Sequence, residues 1–481
     1  MTTELRMRTP AGRWVLATTV LGSGLAMLDS TVVNVALERI GSDFGAAFAD
    51  LQWTINAYTL TLAGFILLGG SLGDRFGRRR VFLVGVVWFA LASALCGLAP
   101  SVEVLIAARA LQGVGGALLT PGSLALISAS FHGEDRAAAI GAWSGLAGVA
   151  GAVGPFVGGW LVEWNWRAVF LVNLPVAAIV VASALRHVPE SRDPSAAPHL
   201  DLPGTVLALL GLGAVTWSLT EAGAAGPSPA VLTTGAAGVV ALVAFVLVER
   251  RSRSPLVPPD LFANPRFSAL NGVTLLMYAA LGVLFVLLVL QLQVVAGFSP
   301  LRAGLSTLPI TLVMLLLSAR AGRLATRIGP RLPMTVGLVV AASGMLLLLR
   351  VGPGASYWTD VLPAVLLFAL GLSATVAPLT ATVLDAADDR HAGVASGVNN
   401  AVARAAGLLA VAVIPAAAGI AGADYTNPVA FSAGYHRAVV IAACLLLGAA
   451  VLTALLLRPS ARFEVHECSH CGVTEPAPDA R

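Results

Sequence analysis

The sequence predicts an all-α polytopic membrane protein, and three observations support this prediction. Of the 481 residues, 57% are hydrophobic and 11% are charged, whereas about a quarter of the residues in a soluble protein are charged. Apolar runs of about 20 residues, the length that a helix needs to cross hydrocarbon, recur along the chain. The turns between them are short and rich in arginine, which marks cytoplasmic loops. The net charge of +4 therefore reflects loop arginines and not a nucleic-acid-binding surface.

The apolar runs define fourteen predicted spans. Because this number is even, we expect both termini on the same side of the membrane. When the arginine-rich turn around Asp74 is assigned to the cytoplasm, most loop arginines fall on that side, so both termini are predicted to be cytoplasmic. The spans cover residues 14–37, 51–72, 81–99, 103–128, 136–159, 167–186, 203–221, 230–248, 269–292, 302–321, 332–350, 361–385, 393–419 and 436–457.

The turn between the second and third spans carries the most specific motif of the chain. It reads GGSLGDRFGRRRVFL over residues 69–83, with one acid and four arginines between apolar flanks. Such charges cannot enter hydrocarbon cheaply, so the turn lies outside the bilayer. The pattern resembles the loop between helices 2 and 3 of the major facilitator superfamily of secondary transporters. The resemblance implies the major facilitator fold and a gating role for Asp74, Arg75, Gly77 and Arg78.

An internal repeat predicts the domain organisation. Residues 322–331 (GRLATRIGPR) echo residues 70–79 (GSLGDRFGRR) at a distance of 252 residues, with Thr326 in the place of Asp74. The superfamily is built from repeats of six helices, but here the second copy follows the tenth span, so two helices are inserted between the bundles. The predicted units are an N-terminal six-helix bundle (1–186), a linker with two extra helices (187–268), a C-terminal six-helix bundle (269–457) and a cytoplasmic tail (458–481).

The end of the first span places a carboxyl group, that of Asp29, within hydrocarbon. A charged carboxylate is costly there, so we expect Asp29 to bind and release protons near neutral pH. The alternative is a structural acid that is satisfied by Thr31, Asn34 or a neighbouring helix. Residues 28–37 (LDSTVVNVAL) resemble the first-helix signature of the fourteen-helix drug:proton antiporter branch, with Glu38 where that branch has proline.

The fourth span contains RALQG at residues 109–113, which resembles the superfamily's R-x-x-Q-G motif. The arginine of that motif is implicated in proton transfer, so the resemblance gives Arg109 a proton-coupling role together with Asp29. Arg109 lies only about two turns into the span. The alternative is therefore that its side chain extends to the membrane surface.

The fifth span has a glycine-rich face that ends in GPFVGG at residues 154–159. Glycine permits close contact between helices, and proline removes one backbone hydrogen bond. Such a helix can flex between inward-open and outward-open states, although small-residue packing alone is an equally physical interpretation. The run resembles the G-P-x-x-G-G signature of antiporters, which implies export by antiport and a role for Gly154, Pro155, Gly158 and Gly159.

Polar side chains within apolar spans are candidates to line a substrate cavity. Residues 393–404 (GVASGVNNAVAR) resemble the matching helix of the second half in the same branch. In the family, the acid equivalent to Asp74 interacts with the cytoplasmic end of this helix and holds the outward-facing form. The cavity candidates are Asn34, Gln112, Asn399, Asn400 and Arg404.

Two further stretches receive no role in transport. Residues 164–175 (WNWRAVFLVNLP) resemble a conserved block of the same branch and serve only as a branch marker. Residues 466–471 (HECSHC) contain four potential zinc ligands, but C-x-x-C occurs without a second pair, which favours a disordered tail over a metal site.

These observations together predict a proton-coupled exporter of small amphipathic compounds in the bacterial plasma membrane, working as a monomer without metal or cofactor. Because Asp29 is the one acid placed well within a span, neutral, zwitterionic or monocationic substrates are favoured. The alternatives are a dedicated exporter of a single metabolite or antibiotic and a proton symporter. An enzyme is not predicted, because the sequence contains no HExxH, GxSxG or P-loop motif.

Overall fold

A computed structural model describes residues 6–193, 200–252, 255, 257–387, 392–422 and 424–457. Within them, every regular element is a helix. Thirteen helices in the described part of the chain have the length and apolar composition to cross a membrane, and α5 is a further helix of 32 residues. The architecture is therefore compatible with fourteen spans. The predicted tail from residue 458, including residues 466–471, lies outside the described residues.

The first bundle brings together seven helical elements. Helices α1 and α5 pack together, α4 packs between α2 and α3, and α7 lies against α1 and α3. The elements are α1 (Pro10–Phe44), α2 (Phe48–Phe76), α3 (Arg78–Gly97), α4 (Val102–Ser130), α5 (Gly133–Trp164), the short α6 (Ala168–Leu171) and α7 (Asn173–His187).

The predicted span 167–186 corresponds to one apolar span, Ala168–His187, within which a single residue separates the end of α6 at Leu171 from the start of α7 at Asn173. Pro175 has no amide hydrogen to donate to the Leu171 carbonyl, and this loss accounts for the break. The break places Asn173 at the first position of α7.

Two helices separate the bundles, α8 (Leu202–Ala225) and α9 (Pro229–Arg251). They pack against each other, and α8 also lies against α2 of the first bundle and α15 of the second. Both begin with proline in the first turn and a capping side chain, Asp201 for α8 and Ser228 for α9, which satisfies an otherwise unpaired amide.

The second bundle repeats the first. Helix α11 packs against α15 and α16, and α14 packs between α12 and α13. The helices are the short α10 (Asp260–Ala263), α11 (Pro265–Leu290), which continues as a π-helical turn (Gln291–Val295), α12 (Pro300–Ile328), α13 (Arg331–Leu347), α14 (Leu362–Asp385), α15 (Ala392–Ala417) and α16 (Pro428–Leu456).

The repeat is visible in the helix bounds. Helix α12 begins and ends 252 residues after α2, and the sequence motifs have the same offset. Each helix ends at a glycine with positive φ, Gly77 at 116° and Gly329 at 84°. A residue with a Cβ is strained in this region, so both copies of the turn depend on glycine.

The last span begins earlier than predicted. The apolar run indicates a start at residue 436, but α16 begins at Pro428, where the Asn427 side chain accepts hydrogen bonds from the amides of Val429 and Ala430. The segment that was left out, residues 428–435, contains Pro428, Ser432 and Gly434, so a search for apolar residues excludes it although its cap makes it helical.

Hydrogen bonds join the two bundles at one side of the molecule. We call it the Tyr425 side, where α1 ends and α2 begins; the opposite side, where α2 ends, is the Asp74 side. The Tyr425 hydroxyl donates to the Ala46 carbonyl over 2.6 Å, and Gln52 Nε2 donates to the Val411 carbonyl over 2.5 Å. Gln293 Nε2 donates to the Val35 carbonyl over 3.1 Å. These contacts close the Tyr425 side.

Helices α13 and α14 pack so closely that a small substitution at their contact tests this packing. A methyl group added at Gly371 would overlap the Ala341 amide nitrogen and the Gly337 carbonyl oxygen. We expect Gly371→Ala to lower the free energy of unfolding by about 1–3 kcal/mol, as overpacked cores do. Thermal unfolding of the purified protein in detergent measures the loss. Gly352→Ala is the matched control, because open space surrounds that position; an equal effect of both changes would contradict this packing.

Candidate functional site

A buried ion pair lies at the centre of the first bundle. Arg109 Nη1 on α4 is 2.5 Å from Asp29 Oδ2 on α1. The side chain of Asp29 is 0% exposed and that of Arg109 is 1% exposed. Arg109 therefore pairs with Asp29 and does not extend to the membrane surface. Of the partners considered for a structural acid, Thr31 does not bond to Asp29, because its Oγ1 donates to carbonyls of its own helix, whereas neighbouring helices do supply partners.

Neutral side chains complete the coordination of the carboxylate. Gln112 Nε2 donates to Asp29 Oδ1 over 2.9 Å, and Asn173 Nδ2 donates to the same oxygen over 3.2 Å. Both amides also donate to Ser93 Oγ on α3, over 3.1 and 2.9 Å. The Ser93 hydroxyl in turn donates to the Phe170 carbonyl. Side chains of α4 and α7 thus hold the carboxylate of α1, and Ser93 of α3 orients both amides; a buried charge is tolerable only with such partners.

Arg109 has partners other than Asp29. Its Nε donates to the Thr54 carbonyl over 3.1 Å, and Nη1 also donates to Gln112 Oε1 over 2.6 Å. The guanidinium carbon lies 4.3 Å from the ring centre of Tyr58, within cation–π distance. The guanidinium therefore retains polar and aromatic contacts when the carboxylate of Asp29 becomes neutral.

Among the cavity candidates, Gln112 belongs to this network and is 0% exposed. Asn399 Nδ2 donates to Asn271 Oδ1 and Thr274 Oγ1, so it joins α15 to α11 within the second bundle. Asn400 is exposed and donates to the Ser396 carbonyl of its own helix. Asn34 and Arg404 are half-buried.

The gating candidates lie together at the Asp74 side. The Asp74 carboxylate accepts from Arg78 Nε and Nη2 over 2.8 and 2.7 Å. The cation of Arg75 lies over the ring of Phe76. The Arg78 amide donates to the Ser191 carbonyl, so the chain after α7 folds back onto this turn.

Glu190 is a member of this cluster that the sequence did not reveal. Its two carboxylate oxygens accept from the backbone amides of Arg79 and Arg80, over 3.0 and 3.2 Å. These are unpaired amides of the first turn of α3, where a negative charge is favourable. A side chain at Gly77 would meet the same carboxylate.

The glycine face of α5 contacts both α1 and α12. An added Cβ at Gly154 would overlap Thr31 Oγ1, and one at Gly158 would lie 3.1 Å from Val32 Cα. On the other face, Gly159 lies against Leu301 of the second bundle. Gly304 of α12 lies against the Pro155 carbonyl. The predicted motif is thus part of the contact between the bundles.

Two members of the Asp29 network were missed by the sequence analysis, each for its own reason. Asn173 lies in the block at residues 164–175, which resembles a block of the family but was given no chemical role. Ser93 lies in the apolar third span, and no sequence pattern marks it. Only the folded arrangement of α3 and α7 brings these side chains to Asp29.

The fold and the site define a class of protein, the helical membrane transporters with two bundles around a polar centre. A family model described as Major Facilitator Superfamily matches residues 19–412, and the chain belongs to this superfamily. It is 38% identical over 457 residues to the puromycin resistance protein pur8 of Streptomyces alboniger, which covers 93% of this chain and 91% of that protein. It is 37% identical over 438 residues to the cephamycin export protein CmcT of Amycolatopsis lactamdurans, with 90% of each chain covered.

Solved structures support the fold at low sequence identity. A POT family transporter in complex with 5-aminolevulinic acid superposes with a TM-score of 0.69 at 13% identity, covering 95% of this chain and 100% of that chain. This likeness concerns the architecture of the bundles alone.

The Asn173 hydrogen bond leads to a prediction about stability. Asn173→Ala removes one of the neutral donors to a buried carboxylate, and we expect a loss of about 1.5–3 kcal/mol in the free energy of unfolding. Asn400→Ala is the control, because its amide bonds only to its own helix; we expect a change within about 0.5 kcal/mol. Equal stability of the Asn173→Ala and unsubstituted proteins in thermal unfolding would refute the assigned contact.

Proposed function

We propose that this chain exports small amphipathic compounds in exchange for protons, by alternating access between two bundles. The observation that carries the proposal is the ion pair of Asp29 with Arg109, buried and surrounded by neutral hydrogen-bond donors. The named activities of the relatives, puromycin resistance and cephamycin export, support the export of toxic or antibiotic compounds.

Asp29 is the group that binds the proton in this proposal. Protonation removes the charge of the carboxylate and the ionic attraction to Arg109, while Gln112 and Asn173 still donate to its oxygens. Arg109 then remains with the Thr54 carbonyl and the Tyr58 ring. These remaining partners lower the cost of breaking the buried ion pair, so the pair can open and form again as a reversible switch requires.

Alternating access is supported by the contacts between the bundles. Hydrogen bonds close the Tyr425 side, whereas the Asp74 turn is held by contacts within the first bundle and by Glu190. We infer that the cavity opens toward the Asp74 side and that this side, with both termini, is cytoplasmic. Glycines at the contact of α5 with α12 permit one bundle to rock on the other without side-chain interlocking.

In the outward-facing state, Asp74 would approach the end of α15 that begins at Ala392. The favourable partner there is the positive end of the helix dipole, worth up to about 2 kcal/mol. Asp74, Arg75, Gly77 and Arg78 therefore form the proposed gate. The transporter works as a monomer in the bacterial plasma membrane.

A dedicated exporter of one antibiotic is the second candidate function. It is favoured by relatives whose names refer to a single compound, whereas another relative, from Mycobacterium tuberculosis, is named a multidrug resistance protein. Growth of a pump-deleted bacterial host that expresses this chain, across a panel of toxic compounds, distinguishes a broad from a narrow exporter. A proton symporter is excluded if the expressing cells accumulate less of the compound.

Proton coupling is tested with the compound that gives the largest growth protection. In liposomes containing the purified protein, we expect this compound to start a proton flux that a trapped pH-sensitive dye reports. Asp29→Asn keeps the size of the side chain but cannot ionise, and we expect the flux to fall about 100-fold or more.

The control for this experiment is Glu163→Gln, which removes an exposed carboxylate at the end of α5. We expect its flux to equal that of the unsubstituted protein. Substrate-dependent proton movement that survives in Asp29→Asn would remove Asp29 as the coupling site.

A further inference from the structure

Arg404 is a charged side chain near the middle of a spanning helix, and it has no ionic partner in the part of the chain that the structure describes. It lies about 18 Å along α15 from Ala392, at 1.5 Å per residue. No hydrogen bond or ion pair to a described residue involves its guanidinium, and the side chain is half-buried. A guanidinium at this depth requires a water-filled cavity or a counter-charge.

The side chain faces the space between the bundles and not the lipid. Arg404 lies seven residues, about two helical turns, from both Gly397 and Val411, which contact Leu67 and Gln52 of α2. Arg404 therefore lies on the stripe of α15 that faces α2 of the first bundle.

Asn56 is a second polar group at this place, and it is 1% exposed. Neither polar atom of its amide has a hydrogen-bond partner among the described residues. Helices α2 and α15 run antiparallel, with Gln52 bonded to the Val411 carbonyl and Leu67 against Gly397. This register places Asn56 on the stripe of α2 that faces α15, about one helical turn from Arg404. Both polar atoms of this buried amide are therefore free to form hydrogen bonds with a bound molecule.

The charges around the cavity do not balance. The carboxylate of Asp29 is matched by Arg109 at 2.5 Å, so Arg404 adds one uncompensated positive charge. We propose that the cavity binds the acidic group of an amphipathic substrate, a carboxylate or sulfonate, at Arg404, with the Asn56 amide as an additional hydrogen-bond partner. This proposal rests on the proposed function, because it names the substrate class of the same cavity. The sequence-based preference was for neutral, zwitterionic or monocationic compounds; the proposal keeps the zwitterionic ones and puts anionic compounds in the place of the other two classes.

Binding of a matched pair of probes tests the proposal. The probes are 1-pyrenebutyrate and its methyl ester, which share an apolar skeleton and differ in the charge of one group. Fluorescence titration of the purified full-length protein in nanodiscs gives both dissociation constants. We expect the acid to bind about tenfold or more tightly than the ester, since a charge-assisted hydrogen bond contributes this much.

Single substitutions show which side chain causes the tighter binding of the acid. Arg404→Gln is expected to bind acid and ester equally, and Arg404→Lys to keep most of the preference. Asn56→Asp supplies an internal counter-charge about one turn away and is also expected to abolish it. Arg320→Gln removes an exposed arginine of α12 and is expected to keep the full preference, which controls for net charge.

Two results would overturn the proposal: equal binding of acid and ester by the unsubstituted protein, or a full preference in Arg404→Gln. If Arg404→Gln does not elute as a folded protein, a full preference in Asn56→Asp has the same meaning. No ion gradient is present in this measurement. A failure of Asp29-dependent proton flux therefore refutes the coupling mechanism without affecting the anion site, and the reverse also holds.

Discussion

The ion pair between Asp29 and Arg109 is the constraint on which the rest of this structure depends. A carboxylate and a guanidinium inside a membrane must pair and must satisfy their remaining hydrogen-bonding atoms. Here α1, α3, α4 and α7 each contribute a side chain to the network, and α2 contributes a carbonyl and an aromatic ring. The packing of the first bundle is therefore arranged around one charge pair.

Outside the polar network, the helices are held together by close apolar contacts. Within the bundles, glycines allow backbone-to-backbone approach, as at Gly371 between α13 and α14. Between the bundles, the glycine face of α5 offers contact without interlocking side chains. We propose that the same residue type packs each bundle tightly and lets the junction of the bundles rock, which is what alternating access around a fixed centre requires.

The sequence predicted the fold well because membrane spans are set by a simple physical rule. Apolar length marked the helices, and the repeat at 252 residues marked the two halves. An error lies where local chemistry overrides that rule: Asn427 caps α16 earlier than the apolar run begins. In the span at residues 167–186, Pro175 changes the helical hydrogen bonding without ending the span.

The site was predicted less completely than the fold. Asp29, Arg109 and Gln112 were named because charged and amide groups stand out in apolar segments. Asn173, Ser93 and Glu190 were not, because an amide, a hydroxyl and a linker acid acquire their meaning only from the residues that the fold brings near them. Asn56 is similar: its sequence context is ordinary, and its burial without partners is a property of the structure.

The proposed coupling requires Asp29 to change its protonation state within the folded protein. Difference infrared spectroscopy of the protein in lipid, titrated from mildly alkaline to mildly acidic pH, measures this directly through the carbonyl band of a protonated carboxylic acid. We expect such a band in the unsubstituted protein and its disappearance in Asp29→Asn. Identical spectra of the two proteins across the titration would show that the carboxyl group of Asp29 does not exchange a proton, and the proposed coupling would be wrong.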